Sequence, residues 1–232
     1  DQETLIKIPS LMKISDWEER DALEKEKEIL GFYVSGHPLL QHSEDLEEFT
    51  SFSFDDNQEV SKKDTVIVGG MVNKIVRRFD RRNREMSFFD LDCIGGNVEV
   101  IAFSECFKSY GSLIEEGSVL FVKGKPADNT SFSELKVISD EIIPVKEIRS
   151  RLSQRLNINF FKTKSKSGSE EIESLMDLAK KYPGNCGMVF HLENGNSRKA
   201  VKVLAHNIKV STNRAFIKKL RNQYGKDNIW VD

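Results

Sequence analysis

Little in this chain points to chemistry done by thiols, metals or a phosphate-cradling loop. Its three cysteines, Cys93, Cys106 and Cys186, stand far apart. They offer neither a disulfide framework nor a zinc knuckle, and a reducing, cytoplasmic setting is the simple reading. There is no P-loop, no GxGxxG, and no spacing that supports a Cys-His or Ser-His-Asp set. No stretch approaches the ~18 uninterrupted apolar residues of a membrane span. The start lacks the apolar core of a signal peptide. The first residue is Asp1 rather than Met, so the chain reads as a piece of something longer. Its 232 residues set an expectation of one or two domains.

Charge is present but unevenly placed. The net value of −2 hides a split between 16 Asp/Glu against 5 Lys/Arg in residues 1–59, a net of −11, and a net of +9 in the remainder. The acidic block reads as a solvated helix. The basic remainder suits a polyanion partner without requiring one.

The organising stretch is 65–143. It opens on an apolar run, Val66-Ile67-Val68-Gly69-Gly70-Met71-Val72, and continues into an arginine cluster, Arg77, Arg78, Arg81, Arg82 and Arg84, with Phe79 among them. Strands are expected at 65–76, 86–93, 97–103, 118–125 and near 131–143. Ile94-Gly95-Gly96 is good hairpin chemistry between the second and third, because glycine supplies positive φ at low cost. Ser104 is expected to cap a short helix carrying Phe107, Tyr110, Leu113 and Ile114, ending at Gly117. Five strands, a helix between the third and fourth, and a basic loop at 77–84 between the first two make the layout of an OB-fold barrel.

The flanks read more simply. Ser15-Asp16-Trp17-Glu18 is a capping box that starts a helix to Leu30, with Trp17, Leu23, Ile29 and Leu30 toward its buried side. Pro38 starts another, to about Phe49. After the barrel, 146–166 holds seven basic residues and one acid, Glu147. From Leu156 the order is strand (156–161), helix (170–182), strand (187–192), strand (200–204), helix (212–224), strand (228–231), a βαββαβ pattern. Pro183-Gly184 and Gly225 stop the two helices, and 206–210 is left unassigned. The expected whole is an N-terminal helical segment (1–59), a five-stranded OB barrel (60–145) and a small α+β domain (146–232).

One segment is specific. Glu28-Ile29-Leu30-Gly31-Phe32-Tyr33-Val34-Ser35-Gly36-His37-Pro38 resembles a signature of the bacterial replicative DNA polymerase III alpha subunit, between its clamp-binding region and its OB domain. The barrel repeats the resemblance at Ile67 to Gly70, Met86 to Phe88, Val98 to Phe103 and Val122 to Lys125, and Tyr182-Pro183-Gly184 is similar to the same family's last domain. The resemblance implies the C-terminal part of such a subunit. The family's catalytic aspartates, and the Mg2+ they hold, belong to a palm domain with no counterpart here, so nucleotidyl transfer is not expected of this chain alone. No cofactor is expected either.

The resemblance also implies partners. Gln2-Glu3-Thr4-Leu5-Ile6 resembles the peptide that docks bacterial polymerases on the sliding clamp, with Gln2, Leu5 and Ile6 as anchors and Ile6 where Phe is usual. The family uses its last domain to hold the clamp-loader tau subunit. Single-stranded or template DNA is expected on the barrel. Clustered arginines bind phosphates by bidentate bonds with counterion release. Phe79 and Phe88 are candidate stacking rings, and Lys123 and Lys125 are further contacts. The bland readings are solvated charge for the arginines and barrel core for Phe88, Phe89, Phe103 and Phe121. His37 reads as a structural histidine in a turn, and Asp90 and Asp92 as outer-face strand residues rather than metal ligands. A module that only docks proteins is the alternative. An OB appendage of a tRNA-binding enzyme is a third reading, against which the 28–38 segment stands.

Overall fold

The computed structural model describes residues 17, 19–30, 35–52, 54, 64–127, 135–160, 168–194 and 197–232. The expected capping box (but for Trp17), Gly31 to Val34 of the signature, and the clamp-like peptide Gln2, Leu5 and Ile6 lie outside these residues. The chain forms two compact units, residues 1–41 and 42–232.

In the first unit, α1 spans Glu19–Leu30. Leu23 is buried, but Trp17, Ile29 and Leu30 are exposed, against expectation. The helix is dominated by charged residues and carries no continuous apolar stripe to bury them. Glu26 accepts from the Ser35 amide at 2.9 and 3.0 Å and from its hydroxyl at 3.1 Å. His37 is a turn histidine: its Nδ1 accepts from the Leu39 amide at 3.2 Å, and its carbonyl accepts from the Leu40 amide.

The second unit begins as a 3-10 turn from Pro38 hands over to α2 (Ser43–Phe49). The barrel follows, with β1 (Val66–Phe79), β2 (Glu85–Cys93), β3 (Gly96–Ala102), α3 (Ser104–Tyr110), β4 (Val119–Pro126) and β5 (Lys136–Pro144). It closes in the order β1-β2-β3-β5-β4, with only β3 and β5 parallel. Strand alternation sends Val98, Val100, Phe89, Leu91, Leu120 and Val122 inward, and α3 with Ile114 plugs one end. Gly95, at φ +94°, makes the β2–β3 turn.

Several details of the barrel differ from the sequence expectation, and the helix expected to reach Gly117 ends at Tyr110, followed by a 3-10 turn over Gly111–Leu113. The first strand does not stop at 76. Its pairing with β2 runs on through Arg77↔Ser87, Arg78↔Met86 and Phe79↔Glu85, so these three residues are strand, not loop. Ser104 is the first helical residue, Phe103 holds the cap position, and no side chain caps the helix. Phe103 is exposed, whereas Phe89 and Phe121 are buried.

The last part of the chain gives β6 (Arg155–Asn159), α5 (Gly168–Lys180), β7 (Pro183–Asn194), β8 (Ser197–Val210), α6 (Arg214–Tyr224) and β9 (Ile229–Val231). The sheet order is β8-β7-β6-β9, with α5 and α6 packed on one face through Leu175, Ala179, Phe216, Ile217 and Leu220. Residues 206–210 continue β8, and Pro183-Gly184 enter β7. Gly225, at φ +94°, ends α6 as expected.

Barrel and sheet are fastened by charge. α2 lies on the barrel where Gly69 leaves room: a Cβ there would sit 2.5 Å from Leu46 and 2.9 Å from Phe121. From α2, Asp45 and Glu48 meet Arg149 of α4 (Ile148–Leu152) at 2.6 and 2.9 Å. Asp45 also binds Arg214 of α6 at 2.5 Å, and Arg221 reaches Glu48 at 3.3 Å. Asp45 and Arg149 are both buried.

Candidate nucleic-acid interface

The arginine cluster is a β-hairpin rather than a loop, and this decides where each side chain goes. Past an irregularity between Val72 and Ile75, β1 alternates. Arg78 falls on the outer face of the barrel, its guanidinium carbon 5.8 Å from the centre of the Phe88 ring. Arg77 falls on the opposite side, 5.7 Å from the ring of Phe107 in α3. Both are cation–π distances. Phe79, beyond them, is 64% exposed.

The tip, 80–84, is held by Asp80. Its Oδ1 accepts from the amides of Arg82 and Arg84 at 2.8 and 2.9 Å, and its Oδ2 accepts from the Arg84 guanidinium at 2.9 Å. Asn83 takes the left-handed backbone, φ +57°, that such a turn needs. The donated amide of Arg84, then the other donors, pull the Asp80 carboxyl below its ordinary value. Arg84 also pairs with Glu105 at 2.9 Å. It is therefore a strut of the turn, whereas Arg81 and Arg82 project from the tip, exposed.

The outer face beside this tip is a groove of about 400 Å³ lined by Lys74, Val76, Arg78, Phe88, Asp90 and Glu99. Phe88 is half-buried there, on the outside, so its ring is not barrel core. Asp90 of β2 lies directly opposite Glu99 of β3, and Glu99 pairs with Lys136 at 2.6 Å. Among the described residues no group of three or more His, Cys, Asp or Glu is placed to hold a metal ion. Burial pushes the Cys93 thiol up to about 12 and the Cys186 thiol up to about 11, so both stay protonated at neutral pH.

The structure thus brings together Arg78 and Phe88, with Arg81 and Arg82 exposed at the hairpin tip and Arg77 and Phe79 on the α3 side. Lys123 and Lys125 are on β4. Lys125 is level with Phe88 through the pairs Phe88↔Ile101, Ile101↔Ile138 and Ile138↔Lys125, three strands round the closed barrel. At about 4.8 Å per strand that is roughly 15 Å. Sequence reasoning missed Asp80, whose Asp-x-x-Asn spacing is the turn signal, and Lys74, hidden in a mixed strand.

The comparisons with known proteins agree with this geometry. Residues 66–145 match the family model "OB-fold nucleic acid binding domain", tRNA_anti-codon. The barrel is an OB-fold, and over these residues the chain is similar to that nucleic acid binding family. Over most of its length, barrel included, the chain is similar to DNA polymerase III alpha subunits. It is 26% identical over 229 residues to the subunit of Halalkalibacterium halodurans, covering 97% of this chain and 20% of that one. The Pseudomonas fluorescens subunit is 23% identical over 91% of this chain and 18% of its own length. That of Borreliella burgdorferi is 26% identical over 89% and 18%. The chain spans about a fifth of the length of these curated relatives. A solved mitochondrial single-stranded DNA binding protein of S. cerevisiae, Rim1, aligns with 38% of the chain at 13% identity and a TM-score of 0.27, too loose a likeness to add to this.

Proposed function

We propose that this chain holds single-stranded or template DNA on the outer face of β1–β3, as a non-catalytic part of a replicative polymerase. The observation that carries the reading is the Arg78–Phe88 pair on the outer wall of an OB barrel, beside exposed Arg81 and Arg82. A ring stacks on a base, and guanidiniums beside it take the phosphates. Nucleotidyl transfer, with its metal ions, belongs in this reading to the polymerase parts of the longer relatives. Binding of a fluorescent single-stranded oligonucleotide to the 232-residue chain is the test. Phe88→Ala should weaken it by about 1–3 kcal/mol. Absence of wild-type binding, or indifference to both Phe88→Ala and Arg78→Ala, would contradict the reading.

The finer reading adds two tethers. Gln2, Leu5 and Ile6 form the sliding-clamp peptide, and the β6–β9 domain docks the clamp-loader tau subunit. The support for both is the sequence resemblance and the relationship to alpha subunits. Gln2→Ala with Leu5→Ala should abolish capture of the clamp. One observation favours the rival, a module that docks proteins only: Asp90, Asp92 and Glu99 put three carboxylates on the face assigned to DNA. Under that rival the oligonucleotide does not bind.

A further inference from the structure

The β1–β2 hairpin has a second face. On the α3 side, between hairpin and helix, runs a cleft of about 760 Å³. Phe79 forms one lip and is exposed, and Arg77 lies stacked over Phe107 at the other. The charges of this cleft nearly cancel. Arg77 and Lys108 stand against Glu85, and Arg84 is already paired with Glu105 and Asp80. A balanced cleft draws phosphate weakly, because the counterion-release gain needs net positive charge. It does offer flat stacking surfaces in an exposed ring and a guanidinium plane, which accept any base face.

We propose that this cleft receives a further base of the strand held on the outer face, stacked on Phe79 with Arg77 alongside. The strand passes over the hairpin tip, where Arg81 and Arg82 take its phosphates. The hairpin is then a rail gripped by nucleotides on both sides, and it extends the site beyond the outer wall of the barrel. The proposal rests on the DNA-binding reading above and adds a second contact to it.

The two are separable by strand length. The 232-residue chain is titrated with a short oligonucleotide of about 4 nucleotides and a long one of about 15, near the ends of the range that single OB domains occupy. Phe79→Ala should weaken the long strand on the order of tenfold and leave the short one within about twofold, with Phe79→Trp restoring the loss. Phe88→Ala should weaken both. An unchanged long strand with Phe79→Ala, an equal loss on both strands, or a failure of Trp to restore overturns the second contact. If Phe88→Ala still weakens both strands, the outer-face reading survives that result. A wild-type chain that binds neither strand overturns both.

Discussion

Two arginine clusters in this chain do opposite work. Arg149 of α4 and Arg214 and Arg221 of α6 converge on Asp45 and Glu48, with Arg149 and Asp45 buried and each arginine paired to a carboxylate. Arg77, Arg78, Arg81 and Arg82 are consecutive or nearly so and exposed, and among the described residues only their neighbour Arg84 is spent on ion pairs. The first cluster pays for its own desolvation with partners and joins two folded parts. The second keeps its charge in water, where an arriving polyanion can use it. The difference lies in where the carboxylates are, and it predicts that substitutions in the two clusters will move different observables.

The largest effect belongs to the buried cluster. Asp45→Ala leaves Arg149 and Arg214 without their shared partner, and should cost about 3–5 kcal/mol of unfolding free energy in a denaturant titration. The DNA affinity of the protein that remains folded should be unchanged. Loss of binding without loss of stability would break the comparison.

Acid sharpens it. Burial first, and then Arg214, whose guanidinium lies 3.2 Å from Nδ1, hold the His42 pKa below its ordinary 6.5. A lowered folded-state value means the neutral form is favoured by folding. The contribution is therefore complete above 6.5 and is lost as pH falls from there through the folded value. The melting temperature should drop as pH falls from about 7.5 to below 6.5, and His42→Gln should flatten part of that drop.

At the hairpin the stakes are order rather than global stability. Asp80→Ala should speed amide exchange at Arg82 and Arg84 and weaken DNA binding, with the melting temperature nearly unmoved. The Asp80 carboxyl, lowered from 3.8, stabilises its turn above that value and stops doing so as pH falls through the lowered one. The smallest effect is expected at Ser104. It caps nothing, its hydroxyl only grazing Asp80 at 3.5 Å, so Ser104→Ala should stay within ~0.5 kcal/mol.

Much of the fold was legible because strand alternation and turn glycines are local signals. Val98-x-Val100 and Gly95 reported the second hairpin, and Gly225 reported the end of α6. The extent of β1 was not legible, because Arg77 and Arg78 are polar on both faces there and only cross-strand pairing with Ser87 and Met86 defines them as strand. The same gap hid the sidedness of the cluster. A run of arginines reads as one patch until the backbone is known to be extended, and extension then splits it. The buried cluster was least legible of all, because Asp45 and Arg214 are 169 positions apart and nothing local marks them as partners.

The exposed arginines of the hairpin are proposed to hold phosphates. The most direct test is the salt dependence of single-stranded DNA binding, measured for the wild-type chain and for Arg78→Ala/Arg81→Ala/Arg82→Ala. Each phosphate contact to a single strand contributes about 0.7 to the slope of log affinity against log salt, so the triple variant should lose about 2 from that slope. An identical slope in the two proteins would contradict the account.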